Sequence, residues 1–493
     1  MIHKYLQFLK KNKSTLILLL IIFLTAVFFR FYNYDNRWGL ASDQARDAIV
    51  VTQALATHSI PIIGPFSASG PFVFGPYMYW FMMFSGIIFP FGFIKYWVAL
   101  GLLSTLTTFL MMAVGYETEN KYLGLLAGLF VAVSPIQIGI STNLVASSLA
   151  GALSVAAVYF FVRTIKYAKT LDIFLLSLFV GFAVNTHFQT VPLMILLPVS
   201  YISGKLKIKN LLPLAAGLFI PFIPLLIFDL NANFYESNHI MTYFFNSGYP
   251  PDITKRWIIY LTSSLPSLYA LILGGNFITG FFIMVSTSAA VIYFFIKRNI
   301  NKIILALGIV LALIIVILRY FPGQLFGNFI AFLIPFIIIL FSWLCLRLFK
   351  LNKFLGIIII LIIFISTAFT SYGNIALATN YSSSNAKMLA NELEQQFPKG
   401  TKFSIYDYGY ENTQISLPLV LYLSQDGKIS DNGIRIGIAG SLIPNVQLNY
   451  FEKGRYTEFI YTLRNFSNDE LVKNGWVSVN PSNVYKSVEN WYK

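Results

Sequence analysis

Long apolar runs separated by short polar gaps dominate the first three quarters of the chain. Runs of roughly 18 residues or more recur, each long enough to cross the ~30 Å hydrocarbon layer of a bilayer. Lysine and arginine gather in particular gaps. Lys4, Lys10, Lys11 and Lys13 precede the first run, and Arg163/Lys166/Lys169, Lys205/Lys207/Lys209, Lys297/Arg298/Lys302 and Arg347/Lys350/Lys353 fall between later ones. Short basic loops favour the cytoplasm, so these gaps and the N-terminus are placed there. No small-residue cleavage site follows the first run, which predicts a retained span rather than a removed signal peptide.

That constraint decides an ambiguous stretch. Residues 72–91 are apolar enough to span, but a span there would turn the next two basic loops outward. Nearby Pro65, Pro71 and Pro76 and several aromatic rings suit a segment lying along the outer interface. The pattern predicts eleven spans, at about 14–30, 93–114, 122–140, 144–163, 171–187, 189–203, 210–228, 277–296, 303–319, 325–346 and 354–372. The outer side then holds a first loop (31–92), the segment 229–276 with an interfacial helix at 257–273, the turn Arg319–Gln324 and the tail. Residues 373–493 are more polar, with a helical pattern over 384–396, a turn at Asp426-Gly427 and strand alternation through Ile434, Ile436 and Ile438. The expected architecture is an α-helical polytopic membrane domain over 1–372, followed by a small soluble α+β domain over 373–493 on the outer side. No internal repeat is visible.

Composition agrees with this class. Of 493 residues, 57% are hydrophobic and only 11% charged, with mean hydropathy +0.68, whereas a soluble domain is about one quarter charged. The net charge of +15 belongs to orientation loops rather than to a nucleic-acid surface. One cysteine, Cys345, lies inside an apolar run, so no intrachain disulfide forms.

Against this background the first loop has odd chemistry. Ser42-Asp43-Gln44-Ala45-Arg46-Asp47 puts three ionisable groups within five residues, just after the first span. Ordered charge at a membrane boundary is costly and marks a candidate site. Ser42 is the expected N-cap of a helix. Helical spacing places Ala45, Ala48, Ile49, Thr52 and Ala56 on one face and Asp43, Arg46, Asp47 and Val50 on the other. Asp43 at the positive helix end favours its ionised form, fit to take a proton from an attacking hydroxyl. Arg46 pairs with Asp43 or meets an anion such as phosphate. A capped interfacial helix with a local ion pair is the plainer reading.

The segments SDQARDA, IPIIGPFSASG and FGPYMYWF resemble the first external loop of polyprenyl-phosphate-sugar-dependent glycosyltransferases of the GT-C fold, in the family-39-like group that includes protein O-mannosyltransferases and the aminoarabinose transferase acting on lipid A. The resemblance covers roughly residues 10–350. It implies interfacial helices in this loop and Asp43 as general base. Where that family often has Glu after the Asp, this chain has Gln44; Asp47, one turn on, is the remaining carboxylate.

Other polar groups stand at outer span ends. Asn185-Thr186-His187-Phe188-Gln189 is either an interfacial turn or a cavity lining in which His187 orients an acceptor or touches a phosphate. Asp229 looks structural. Arg319, an outward arginine, either holds a lipid phosphate, as the resemblance implies for a basic residue in a late loop, or snorkels to headgroups; Lys255-Arg256 offers the same pair of readings. No phosphate-binding loop, HExxH, CxxC, GxSxG or DxD motif is present. A donor already carried on lipid phosphate needs no nucleotide site, and no carboxylate or histidine cluster calls for a metal, although a divalent cation stays open.

The expected function is transfer of a sugar from a polyprenyl-phosphate donor to a lipid, glycan or protein hydroxyl outside the cell membrane, with inversion and Asp43 as base. A transporter or lipid flippase is the rival; it predicts mid-span charge and repeated hydropathy. A non-catalytic receptor with the tail as binding module is a third.

Overall fold

The apolar runs fold as helices, because backbone in hydrocarbon must satisfy its own N–H and C=O groups. The computed structural model describes residues 13–67, 72–90, 92–245, 257–320, 327–377, 379, 382–408, 413–439, 459–463 and 467–481. Among these, eight helices are long and apolar enough to cross a membrane: Ser14–Phe31, Lys95–Thr118, Ala146–Tyr167, Ile208–Asn231, Phe277–Ile296, Lys302–Arg319, Gly327–Leu351 and Lys353–Ala376. Their charged residues lie near their ends. Each coincides with an expected span, and the chain is a multi-pass membrane protein.

The other three expected spans, 122–140, 171–187 and 189–203, are shorter apolar helices: Lys121–Val133, Thr170–Thr186 and Phe188–Ser203. The first ends where Ser134 turns extended ahead of Pro135, which opens a separate short helix. Its 13 residues reach only about 20 Å. Such breaks are tolerated where protein rather than lipid surrounds the backbone. Ser134 Oγ, for example, donates to Ile272 O at 2.6 Å. The 72–91 stretch contributes only Tyr77–Ile88, 12 residues and too short to span, and Trp257–Ile272 forms the second short helix expected in the outer loops.

The loops separate into two groups. At one end Arg163 meets Asp172 at 2.7 Å, Lys166 meets Glu117 at 2.9 Å, and Arg347 and Lys350 each meet Glu119 at 3.4 Å. These are the loops that the basic pattern assigned together. At the other end the first loop, residues 143–147, 187–189 and 328–329 converge. Arg30, fully buried in the last turn of the first span, pins that span to its neighbours. It donates to Ala132 O at 2.9 Å, Val131 O at 3.2 Å and Ser104 Oγ at 3.0 Å.

Among the described residues the tail forms a four-stranded sheet in the order β3-β2-β1-β4, from β1 (Phe403–Tyr408), β2 (Ile434–Ala439), β3 (Phe459–Thr462) and β4 (Trp476–Val479). Strands β1 and β2 run parallel, with Ile405 opposite Ile436, and the crossover between them carries the helix Thr413–Gln425. This helix buries Leu419, Val420 and Leu423 and packs against Ser42–Ala56 of the first loop. Ser383 N–H donates to Trp38 O at 3.1 Å and Thr379 N–H to Asn36 O at 3.0 Å. The tail is thus fastened to the loop that carries the acidic motif.

Candidate active site

The Ser42–Ala56 helix begins one residue earlier than expected. Ala41, not Ser42, is its N-cap, and Gln44 Oε1 reaches back to accept the Ala41 N–H at 3.1 Å. An alanine has no side chain to cap with, so the amide at the third helical position does so. Ser42 N–H is taken by Gln414 Oε1 of the tail at 3.3 Å. Gln44 Nε2 also donates to Asn143 Oδ1 at 2.8 Å. Gln44 therefore holds the helix start in place; it is not a second carboxylate.

Arg46 sits between the two aspartates. Its Nη1 donates to Asp43 Oδ1 at 2.9 Å, and its Nε and Nη2 both reach Asp47 Oδ1 at 2.9 Å. Tyr79 OH adds a bond to the same Asp47 oxygen at 3.1 Å. The carboxylates differ sharply in access: the Asp43 side chain is 56% exposed and that of Asp47 only 2%. Burial pushes the Asp47 carboxyl up to about 6, helped by the nearby charge of Asp43 and opposed by Arg46. The expected polar face is thus split. Asp43 is open, whereas Asp47 and Val50 are buried.

The glycine motifs build the wall beside this helix. Gly64 N–H donates to Phe74 O at 2.7 Å, and Gly75 N–H to Asn185 O at 2.8 Å. A Cβ on Gly64 would lie 2.1 Å from Gly75 O, so only glycine lets these two stretches of backbone approach; a Cβ on Gly75 would meet the Asn185 side chain, with Oδ1 at 1.4 Å. The ring of His187 packs against those of Phe74, centroids 4.7 Å apart, and Phe329, at 4.6 Å. Its Nδ1 is buried without a partner.

Asp43, Arg46, Asp47 and His187 all line one cavity of about 390 Å³, together with Asn143, Ser147 and Asn328. Four of the six residues singled out in the sequence are therefore brought together. Arg319 is not among those lining it. It is buried, with its guanidinium over the rings of Trp257 at 5.7 Å and Tyr320 at 5.6 Å, and its Nε has no partner among the described residues. Arg256 and Lys255 lie outside the described residues. The Asp229 carboxylate accepts from Ser237 N–H at 3.1 Å and from Ser237 Oγ, a structural use. Among the described residues no group of three or more His, Cys, Asp or Glu could hold a metal.

Sequence reasoning missed Asn143, Ser147 and Asn328, although the polar pairs Thr142-Asn143 between spans and Ser147-Ser148 at the start of the next were a usable sign. It also missed Glu236. This buried carboxyl accepts the Val73 N–H at 3.0 Å, tying the helix Tyr235–Phe245 to the cavity wall. Burial and neighbouring Asp229 push it up to about 8, against the Val73 bond. Folded, it keeps its proton up to about 8; unfolded, it loses it near ~4.3. Its contribution to stability is therefore full below the lower value and lost as pH rises through the upper one. In Glu236→Gln, which keeps an acceptor for Val73, thermal unfolding should lose that slope, so the variant gains on the parent as pH rises. Parallel melting curves across this range would contradict the assignment.

No family model matches the chain, and no curated protein matches it by sequence. Solved structures do. One is ArnT from Cupriavidus metallidurans bound to undecaprenyl phosphate, with a TM-score of 0.62 and 11% identity over 91% of this chain and 98% of that one. The oligosaccharyltransferase of Archaeoglobus fulgidus in the apo form gives 0.52 and 14% over 78% of this chain and 58% of that one. The archaeal AglB from the same organism, in complex with an inhibitory peptide and a dolichol-phosphate, gives 0.52 and 12% over 87% and 69%. This chain thus spans nearly all of ArnT but under two thirds of the apo oligosaccharyltransferase, and its fold is the GT-C fold anticipated by the first-loop motifs.

Proposed function

We propose that this protein is a membrane glycosyltransferase that moves a sugar from a polyprenyl phosphate to an acceptor hydroxyl on the outer side of the cell membrane. The observation that carries the reading is the open Asp43 carboxylate, held by a single arginine at the wall of a cavity where the outer span ends converge. The likeness to structures containing undecaprenyl phosphate and dolichol-phosphate supports a lipid-phosphate donor. The loop charges place the N-terminus in the cytoplasm, and the cavity and tail outside.

In this mechanism Asp47 keeps the guanidinium of Arg46 fixed through Nε and Nη2. The donor phosphate takes Nη1 from Asp43, a charge-assisted exchange of one anion for another. Asp43, released, accepts the proton of the acceptor hydroxyl as its oxygen attacks the anomeric carbon. The bond from that carbon to the phosphate oxygen breaks, its electron pair leaves with the phosphate, and Arg46 stabilises the developing charge. A double displacement needs a second free carboxylate close by. Asp47 is buried and bonded to Arg46 and Tyr79, so a single displacement with inversion follows. Arg319 and Arg256 are further candidates for the lipid phosphate as it approaches from the bilayer. No described long helix carries mid-span charge, which leaves the transporter reading without support.

The test uses purified protein in proteoliposomes with labelled polyprenyl-phosphate sugars and envelope lipids or glycans as acceptors. Label should appear in the acceptor with release of polyprenyl phosphate. Passage of intact donor across the bilayer, with its glycosidic bond unbroken, would replace this reading with a flippase.

A further inference from the structure

We infer that the group transferred is an uncharged sugar, whose hydroxyls are met by His187 and Ser147. The inference rests on the glycosyltransferase reading and specifies its donor.

The cavity wall divides into two kinds of surface. Among the described residues, the three charged ones that line it, Asp43, Arg46 and Asp47, come from one turn of one helix. The remainder is aromatic, with Phe72, Phe74, Phe188 and Phe329, and carries neutral polar groups. Two of those groups are conspicuous. Ser147 Oγ and His187 Nδ1 are each buried with no hydrogen-bond partner among the described residues. A buried polar atom left unpaired is costly, and its usual explanation in a cavity is a ligand or water that completes it. The His187 ring stacks on Phe74 and packs against Phe329, which leaves its bonding to its ring nitrogens. No described carboxylate pairs with it, so it serves as a neutral donor and acceptor and not as a counter-ion for phosphate.

Apolar ring faces with a few convergent neutral polar groups fit the C–H surface and hydroxyls of a sugar ring. A carboxylate on that sugar would be desolvated against phenylalanine with no described cation at that end to balance it. An ammonium would suffer the same desolvation with no carboxylate at that end to balance it.

Binding of short-chain polyprenyl phosphates to the purified full-length protein tests this. The probes are the bare phosphate and the same lipid carrying glucose, mannose, galactose, N-acetylglucosamine, glucuronic acid or an unacetylated amino pentose. At least one neutral sugar should tighten binding about tenfold over the bare phosphate, and neither charged sugar should tighten it. His187→Phe, which keeps the ring stack, and Ser147→Ala should each remove most of that gain while leaving the bare phosphate unaffected; either variant alone suffices if the other fails to fold. Tightest binding of a charged sugar, or equal weakening of the bare phosphate in His187→Phe, overturns the inference while leaving the transferase reading intact. Failure of the bare phosphate to bind removes both.

Discussion

Asp43→Asn is expected to lower glycosyl transfer at least ~100-fold, the usual scale for loss of a general base, with the protein still inserted and folded. The amide has the shape of the carboxylate, and its oxygen can still accept from Arg46 Nη1, now 2.9 Å from Asp43 Oδ1. The side chain is more than half exposed, so little packing depends on it. What disappears is the capacity to take a proton. Donor binding should survive, because the mechanism gives the phosphate to Arg46 and not to Asp43. Labelled transfer, donor affinity and thermal unfolding, measured on one preparation, separate these effects. Transfer within a few-fold of the parent would remove Asp43 from the chemistry. Equal loss of donor affinity and transfer would make it a binding group instead.

The sequence carried the membrane domain because hydrophobic run length and loop charge are local quantities. The same holds for the Asp43–Arg46 pair, whose three-residue spacing on a helix brings the groups to 2.9 Å. Gly64-Pro65 and Gly75-Pro76 stood out as motifs, but their purpose did not. Gly64 is glycine because the Gly75 carbonyl closes on it, while Asn185 approaches Gly75 from 110 positions away, and no local pattern records either approach. The aromatic contacts of His187 were hidden for the same reason, since Phe74 and Phe329 are ordinary apolar residues until the fold sets them against its ring. Ser42 looked like the cap because serine commonly is one. The competing solution, Gln44 reaching back to Ala41, was legible only as the third-position half of a capping box without its serine. Short apolar helices were overrun for a different reason. Hydropathy does not register the break at Ser134-Pro135, because the residues on both sides stay apolar.

Arg46→Gln is expected to cost about 3–5 kcal/mol of stability, since it strips the partner from a buried carboxylate. Asp47 is 2% exposed at its side chain, and with Arg46 gone only Tyr79 remains bonded to the oxygen that now takes both bonds from the guanidinium. Adding Asp47→Asn removes the charge that Arg46 was balancing, so the double variant Arg46→Gln/Asp47→Asn should recover most of the lost stability. The proposed chemistry makes the opposite forecast for transfer. If Arg46 Nη1 holds the departing phosphate, restoring the fold does not restore that contact, and transfer should stay down by ~100-fold or more, as when an oxyanion donor is removed. Arg46→Lys should fall between. An ammonium can balance one carboxylate, but it lacks the planar fork that reaches Asp43 and Asp47 together. Thermal unfolding of the solubilised protein reads the first forecast and labelled transfer the second. Activity that returned along with stability in the double variant would show that Arg46 serves only to neutralise Asp47, and the phosphate would then have to be held by a cation outside the described cavity wall, with Arg319 the first to substitute.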